Sequence, residues 1–156
     1  MPHRRIERLQ RIKDVEREHA VSLFAVSRLV ADAQRDPTVV SGSELQGTRV
    51  GLRDLRKTAE HLEGTYLIRL FAEFETGLRE FWAASRGREP PARTRGLLDS
   101  VAAMRQIPAE NLDEAHRVRE YRNQLVHERD EAVAPVHIAA ARGILCTFFS
   151  FLPLQW

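Results

Sequence analysis

The sequence predicts an all-α protein, an antiparallel up-and-down bundle of about five or six helices. Apolar residues recur at three- and four-residue spacing along nearly the whole chain, the period of a helix with one buried face. No stretch alternates apolar and polar residues as a half-buried strand does. The length, 156 residues, suits one domain spanning 1–156, large enough to bury a core without disulfides or a structural metal.

The first segment runs from about Arg4 to Arg35, with Ile6, Leu9, Ile12, Leu23, Val26, Val30 and Ala33 at helical spacing. Asp36-Pro37 stops it, because a residue before proline is pushed out of the helical region. Thr38 to Gly47 reads as a loop, and Ser43-Glu44-Leu45-Gln46 has the form of a capping box that opens the next helix. That helix carries Val50, Leu52, Leu55, Ala59 and Leu62, and Gly64 is placed to break or bend it. The helical pattern resumes from Thr65 to Ala84 through Leu67, Leu70, Phe71, Phe74, Leu78, Phe81 and Trp82. Ser85 to Thr94 is a second loop, with Gly87, Pro90 and Pro91, and a short helix through Leu97, Leu98, Val101 and Met104 follows. Pro108, or Asn111 with Glu114, starts the next helix, whose stripe is Leu112, Ala115, Val118 and Leu125 and which ends before Pro135. The last helix covers about Pro135 to Phe151. Its run Ile144 to Leu152 is apolar nearly all round and too short to span a bilayer, so it belongs to the core or to a dimer interface.

Composition excludes several function classes. A single cysteine, Cys146, leaves no disulfide framework and no cysteine-rich zinc site, and no His-Glu-x-x-His is present. Gly42 to Arg49 has the glycine spacing of a P-loop without its lysine or its preceding strand. No nucleophile elbow or serine triad is recognisable. The N-terminal residues are charged from Arg4 onward and carry no apolar secretory core, so a cytoplasmic location is expected, with no membrane partner and no cofactor. The formal net charge is only +2, yet all cations but Lys13 and Lys57 are arginine, whose planar fork matches phosphate.

What remains is Glu120-Tyr121-Arg122-Asn123-Gln124-Leu125-Val126-His127-Glu128. Histidine titrates near neutrality and moves a proton in either direction. Arginine stays charged and grips a phosphate through two parallel hydrogen bonds. Asn123 adds a neutral donor and acceptor. This is the set that RNA cleavage without a metal requires: a base for the 2′-hydroxyl proton and a cation for the charge that builds on phosphorus. Asn123 and His127, four apart, share a helix face, whereas Arg122 and His127, five apart, lie about 140° from each other on an ideal helix. They converge only if the helix loosens near its end or the long arginine swings round. One such set is a thin active site, and two sets facing across a dimer axis supply a base, an acid and two cations. Arg86, Arg88, Arg93, Arg95 and Arg119 are the candidate RNA contacts outside the motif.

Arg122-Asn123 followed by Val126-His127 near the end of a late helix resembles the signature of the HEPN superfamily. Tyr66 to Glu75 is similar to the long central helix of its RiboL-PSP clade, and Phe151 to Trp156 to the Leu-Pro closing of that clade. The resemblance covers Tyr66 onward, and the first helix by pattern. It implies an up-and-down bundle, usually a homodimer and often a metal-independent endoribonuclease. Such proteins serve as toxins paired with an antitoxin, in phage defence or in RNA processing. It assigns Arg122 to phosphate binding, His127 to acid/base work and Asn123 to the polar neighbour, with Glu75 as a candidate supporting acid. Many members of the superfamily are silent modules that bind RNA, nucleotide or a partner protein, and that reading stays open here. So does a plain helical interaction domain.

Overall fold

A computed structural model describes residues 4–41, 47–127 and 133–156. The protein is 80% helical, with six helices and no strand among those residues. They are α1 (Arg5–Arg35), α2 (Thr38–Ser41), α3 (Leu52–Arg86), α4 (Thr94–Arg105), α5 (Ala109–Val126) and α6 (Ile138–Ser150). The all-α class and the helix number are those the sequence predicts.

Helix α3 is the axis of the fold and packs against α1, α4, α5 and α6. Its apolar stripe Leu67, Leu70, Phe71, Phe74, Leu78 and Phe81 is buried, and Phe148 and Phe149 of α6 meet Phe74 edge-on. Gly77 makes that meeting feasible: a Cβ there would stand 2.5 Å from Phe149 Cζ. Two arginines serve the C-terminal end of α6, where helical carbonyls lack partners. Arg5 donates to the carbonyls of Ser150 and Leu152, and Arg105 to that of Phe151. Arg8 is buried and ties α1 to α3 through Glu80.

Several boundaries differ from the sequence reading. Gly64 neither breaks nor bends a helix, since α3 runs through it without interruption. A Cβ at that position would lie 3.3 Å from Leu125 Cδ2, so the small residue serves the close approach of α5. Ser43 to Gln46 lie outside the described residues, and α3 opens later, at Leu52, where the Gly51 N–H donates to Asp54 Oδ2. The expected loop from Thr38 contains the single turn α2, started by Asp36, whose carboxylate accepts from the Thr38 N–H and hydroxyl. Helix α6 begins at Ile138 rather than Pro135. The apolar surplus of the last helix needs no second copy: Leu145, Phe148, Phe149 and Leu152 are buried within one chain, the last turn covered in part by Trp156.

The two long helices outrun the rest. Helix α5 ends beside Gly64, and the Ile138 N–H at the start of α6 donates to Glu63 Oε1. Beyond the Ser22–Tyr66 hydroxyl pair, at 2.7 Å, α1 and α3 continue as an arm with a small core of its own, Ala33, Val40 and Leu55.

Candidate functional site

Helix α5 presents the motif at its C-terminal end, against α3. Arg122 is half-buried, its guanidinium carbon 5.8 Å from the centroid of the Phe71 ring. Its Nη1 donates to Asn123 Oδ1 at 3.0 Å, and its buried Nε–H has no partner among the described residues. The arrangement follows from register. Arg122 lies on the flank of α5 that turns to α3, and Phe71 sits opposite in the antiparallel helix. Asn123 neutralises no charge, so the guanidinium keeps its full attraction for an anion.

His127 stands outside the helix. It is the C-cap of α5, extended at φ −121° and ψ 118°, and its N–H donates to the Asn123 carbonyl at 2.9 Å. Its side chain is exposed, and no hydrogen bond or ion pair joins it to another described residue. The helix thus ends where convergence required it to loosen, but no hydrogen bond links His127 with Arg122 within one chain. Residues 128–132 lie outside the described residues.

Among the other candidates, Glu75 lies one helical turn from Phe71, and its Oε1 accepts from Arg79 Nε and Nη2 and from the Thr94 hydroxyl at 2.9 Å. Arg79 also donates to the carbonyls of Pro91 and Ala92, and Trp82 Nε1 donates to that of Glu89. The loop between α3 and α4 is therefore fastened at three carbonyls. It carries Arg88 and Arg93, flanked by Arg86 at the end of α3 and Arg95 at the start of α4, and the guanidinium carbons of Arg86 and Arg88 lie 5.7 and 5.8 Å from the Trp82 ring centroid. All four are exposed and form no ion pair with a described residue.

Arg119 behaves differently. Its side chain is 13% exposed, Nη2 donates to Glu120 Oε1, and its buried Nε–H has no described partner. Three residues before Arg122, it shares that flank of α5. Nearby, His116 Nε2 lies 2.7 Å from Asp99 Oδ1, which pins α5 to α4.

Sequence reasoning does not find the platform Phe71, the brace Arg79 or Tyr121. Phe71 reads as core, and only the fold sets Arg122 over it. Tyr121 lines a groove with Gly64, Ile68 and Leu125, and burial, with a smaller push from Glu63, raises its phenol above the ordinary value. Among the described residues no three His, Cys, Asp or Glu side chains stand close enough to hold a metal ion, and no helix is long and apolar enough to cross a membrane. Comparison of the chain with protein-family models, curated proteins and solved structures finds no match in any of the three.

Proposed function

We propose that this protein is a metal-independent endoribonuclease of the HEPN type, working as a homodimer. The observation that carries the reading is Arg122. It is a cation laid on an aromatic ring, steadied by a neutral amide and left with an unspent donor, with an exposed imidazole five residues on at the helix end. A fork held this way is prepared for a phosphate before the substrate arrives.

Each chain brings one fork and one imidazole. The His127 imidazole of one subunit takes the 2′-hydroxyl proton, and the 2′-oxygen bonds to the adjacent phosphorus. The bond from phosphorus to the 5′-oxygen breaks, and the protonated imidazole of His127 of the partner subunit gives that oxygen its proton. The products are a 2′,3′-cyclic phosphate and a 5′-hydroxyl. The forks of Arg122 bear the charge on the phosphoryl oxygens. The fastened loop with Arg86, Arg88, Arg93 and Arg95 holds flanking phosphates.

A binding-only function draws on one observation: no described group orients the His127 ring, whereas a working base normally has its tautomer set by a partner. One experiment separates the two. Single-stranded RNA labelled at its end is incubated with the protein in EDTA. Wild type yields cyclic-phosphate ends, and His127→Ala loses about 10²–10⁴-fold in rate, the range for a positioned proton-transfer group. Arg122→Ala is severely impaired, and Arg122→Lys recovers only part, because an ammonium lacks the fork. RNA with 2′-deoxy sugars resists. Cleavage that needs magnesium, or that survives His127→Ala, overturns the reading.

A further inference from the structure

The face of α3 that supports α5 continues past the end of α5. Gly64 lies under Leu125, Phe71 under Arg122, and Ile68 and Tyr121 line one groove between them. Three- and four-residue steps back from Gly64 lead to Glu60, Lys57 and Arg53 on the same face. A second groove, in the uncovered arm, is lined by Leu52, Arg53, Arg56, Lys57, Glu60 and His61. The two grooves share Glu60 and His61, so they form one track. From Arg53 to Gly64 it runs about 16 Å along the helix.

We propose that this track receives single-stranded RNA: Arg53, Arg56 and Lys57 hold its phosphates, and the strand passes into the groove at Tyr121 and Leu125, at the His127 end of α5. The proposal rests on the nuclease reading for its destination, and on two independent observations for the track itself. The first is charge. Arg53, Arg56 and Lys57 are exposed and form no ion pair with a described residue. The neighbouring acids Asp54 and Glu63 accept from the Gly51 and Ile138 N–H groups, which orients them and leaves their charge in place, so the excess of cations is confined to the arm groove. In the arm groove three cations face one carboxylate, Glu60. The second is position. Arg53 is the second residue of α3, and Arg56 and Lys57 begin its second turn. A helix N-terminus carries partial positive charge and favours acids in its first turn, so Arg53 opposes the helix it sits on. Local choices that cost stability are the ones expected where a surface binds something. An extended polyanion is the partner that fits a row of exposed cations on a helix face.

The test uses a fluorescein-labelled 2′-O-methyl RNA strand, which cannot be cleaved by 2′-oxygen attack. Binding is read by anisotropy between roughly 50 and 200 mM salt, the range over which phosphate binding weakens steeply. The triple variant Arg53→Ala/Arg56→Ala/Lys57→Ala binds about tenfold or more weakly at low salt. Its logarithmic salt slope falls by about 2, near 0.7 for each phosphate that the variant no longer neutralises. Its melting temperature is unchanged or higher, because one cation has left the first turn of a helix and alanine is a strong helix former at all three positions. With cleavable RNA its KM rises and kcat holds. A variant that binds with wild-type affinity and slope overturns the track and leaves the nuclease reading intact. Wild type that binds but never cleaves, with binding abolished in the variant, supports the track and overturns the nuclease. Wild type that does not bind RNA overturns both.

Discussion

The body and the arm are built from the same two helices, α1 and α3, yet they are held in different ways. In the body, Leu67, Leu70, Phe71, Phe74, Leu78 and Phe81 of α3 are enclosed by three further helices. In the arm, α3 has α1 and α2 beside it, and the buried side chains are Ala33, Val40 and Leu55. The arm also holds an open apolar cleft lined by Ala33, Pro37, Val40, Val50 and Leu52. Segments with little buried apolar surface open locally at low cost, whereas a dense core opens only with the whole domain. The motif sits at the seam. Arg122 belongs to the body and is fixed by it, and His127 stands at the end of α5 where the arm begins. The body holds Arg122 over Phe71, whereas the arm bears the exposed cations Arg53, Arg56 and Lys57 on a small core.

The sharpest way to break this comparison is to empty the body. Phe74 is fully buried and meets Phe71, Phe148 and Phe149. Phe74→Ala costs about 3–5 kcal/mol, and at this chain length the melting temperature falls by about 10 °C or more. Urea melting shows a lower midpoint with all helices unfolding together. Loss of the arm alone would mean that the body is not the cooperative unit.

Leu55→Ala is the matching deletion in the arm. Leu55 is 7% exposed beside an open cleft, so its surroundings relax and the cost falls near the low end of the range, about 2 kcal/mol. Amide exchange quickens along the arm, from about residue 25 to about residue 60, while protection around Phe74 and Phe148 holds. Equal quickening in both regions would show that arm and body share one stability.

Gly64→Ala tests the seam, and its effect is smaller and of opposite sign. Alanine in a helix interior is favoured over glycine by about 0.8–1 kcal/mol. The new methyl would come within 3.3 Å of Leu125 Cδ2, but Leu125 is 37% exposed and able to swing aside. We expect a gain of roughly 0.5 kcal/mol in thermal melting. A loss would mean that Leu125 is held rigidly and that the end of α5 belongs wholly to the body.

Local signals are legible in the sequence, and signals between distant residues are not. Asp36-Pro37 ends α1 as expected, and the period of α3 from Thr65 onward is the buried stripe. Gly64 looks like a helix breaker because its actual reason, Leu125, lies far along the chain in another helix. The apolar surplus of α6 leaves core and dimer interface both open in the sequence for the same cause, since Gly77 and Trp156 are what let Phe149 be covered. Arg122, Asn123 and His127 stand out because a guanidinium can grip a phosphate and an imidazole can move a proton, whatever the fold around them. Phe71 and Arg79 do not, because a core ring and a loop brace look like any other residue until the helices are packed. Glu75 has the chemistry of a supporting acid, but its partners Arg79 and Thr94 are set by packing and are not legible in the sequence.

The smallest effect is set by pH and lies at the arm's tip. The Asp36 carboxylate accepts from the Thr38 hydroxyl at 2.6 Å and from the Thr38 N–H at 2.9 Å, and these bonds hold it below the usual carboxylate range. A group whose folded value is depressed stabilises the fold above its unfolded value, near about 3.9, and that contribution fades as pH falls through the folded value. Asp36 is fully exposed, so only the turn it starts should feel the change. As pH is lowered from about 5 to about 3, the α2 amides Val39 and Val40 should lose protection first, with the body still protected. Asp36→Asn removes the ionisable group, so the pH dependence at those amides should vanish. Protection lost at the same pH in arm and body, or pH dependence that persists in Asp36→Asn, would assign the acid transition to other carboxylates and remove the distinction between the two regions at this point.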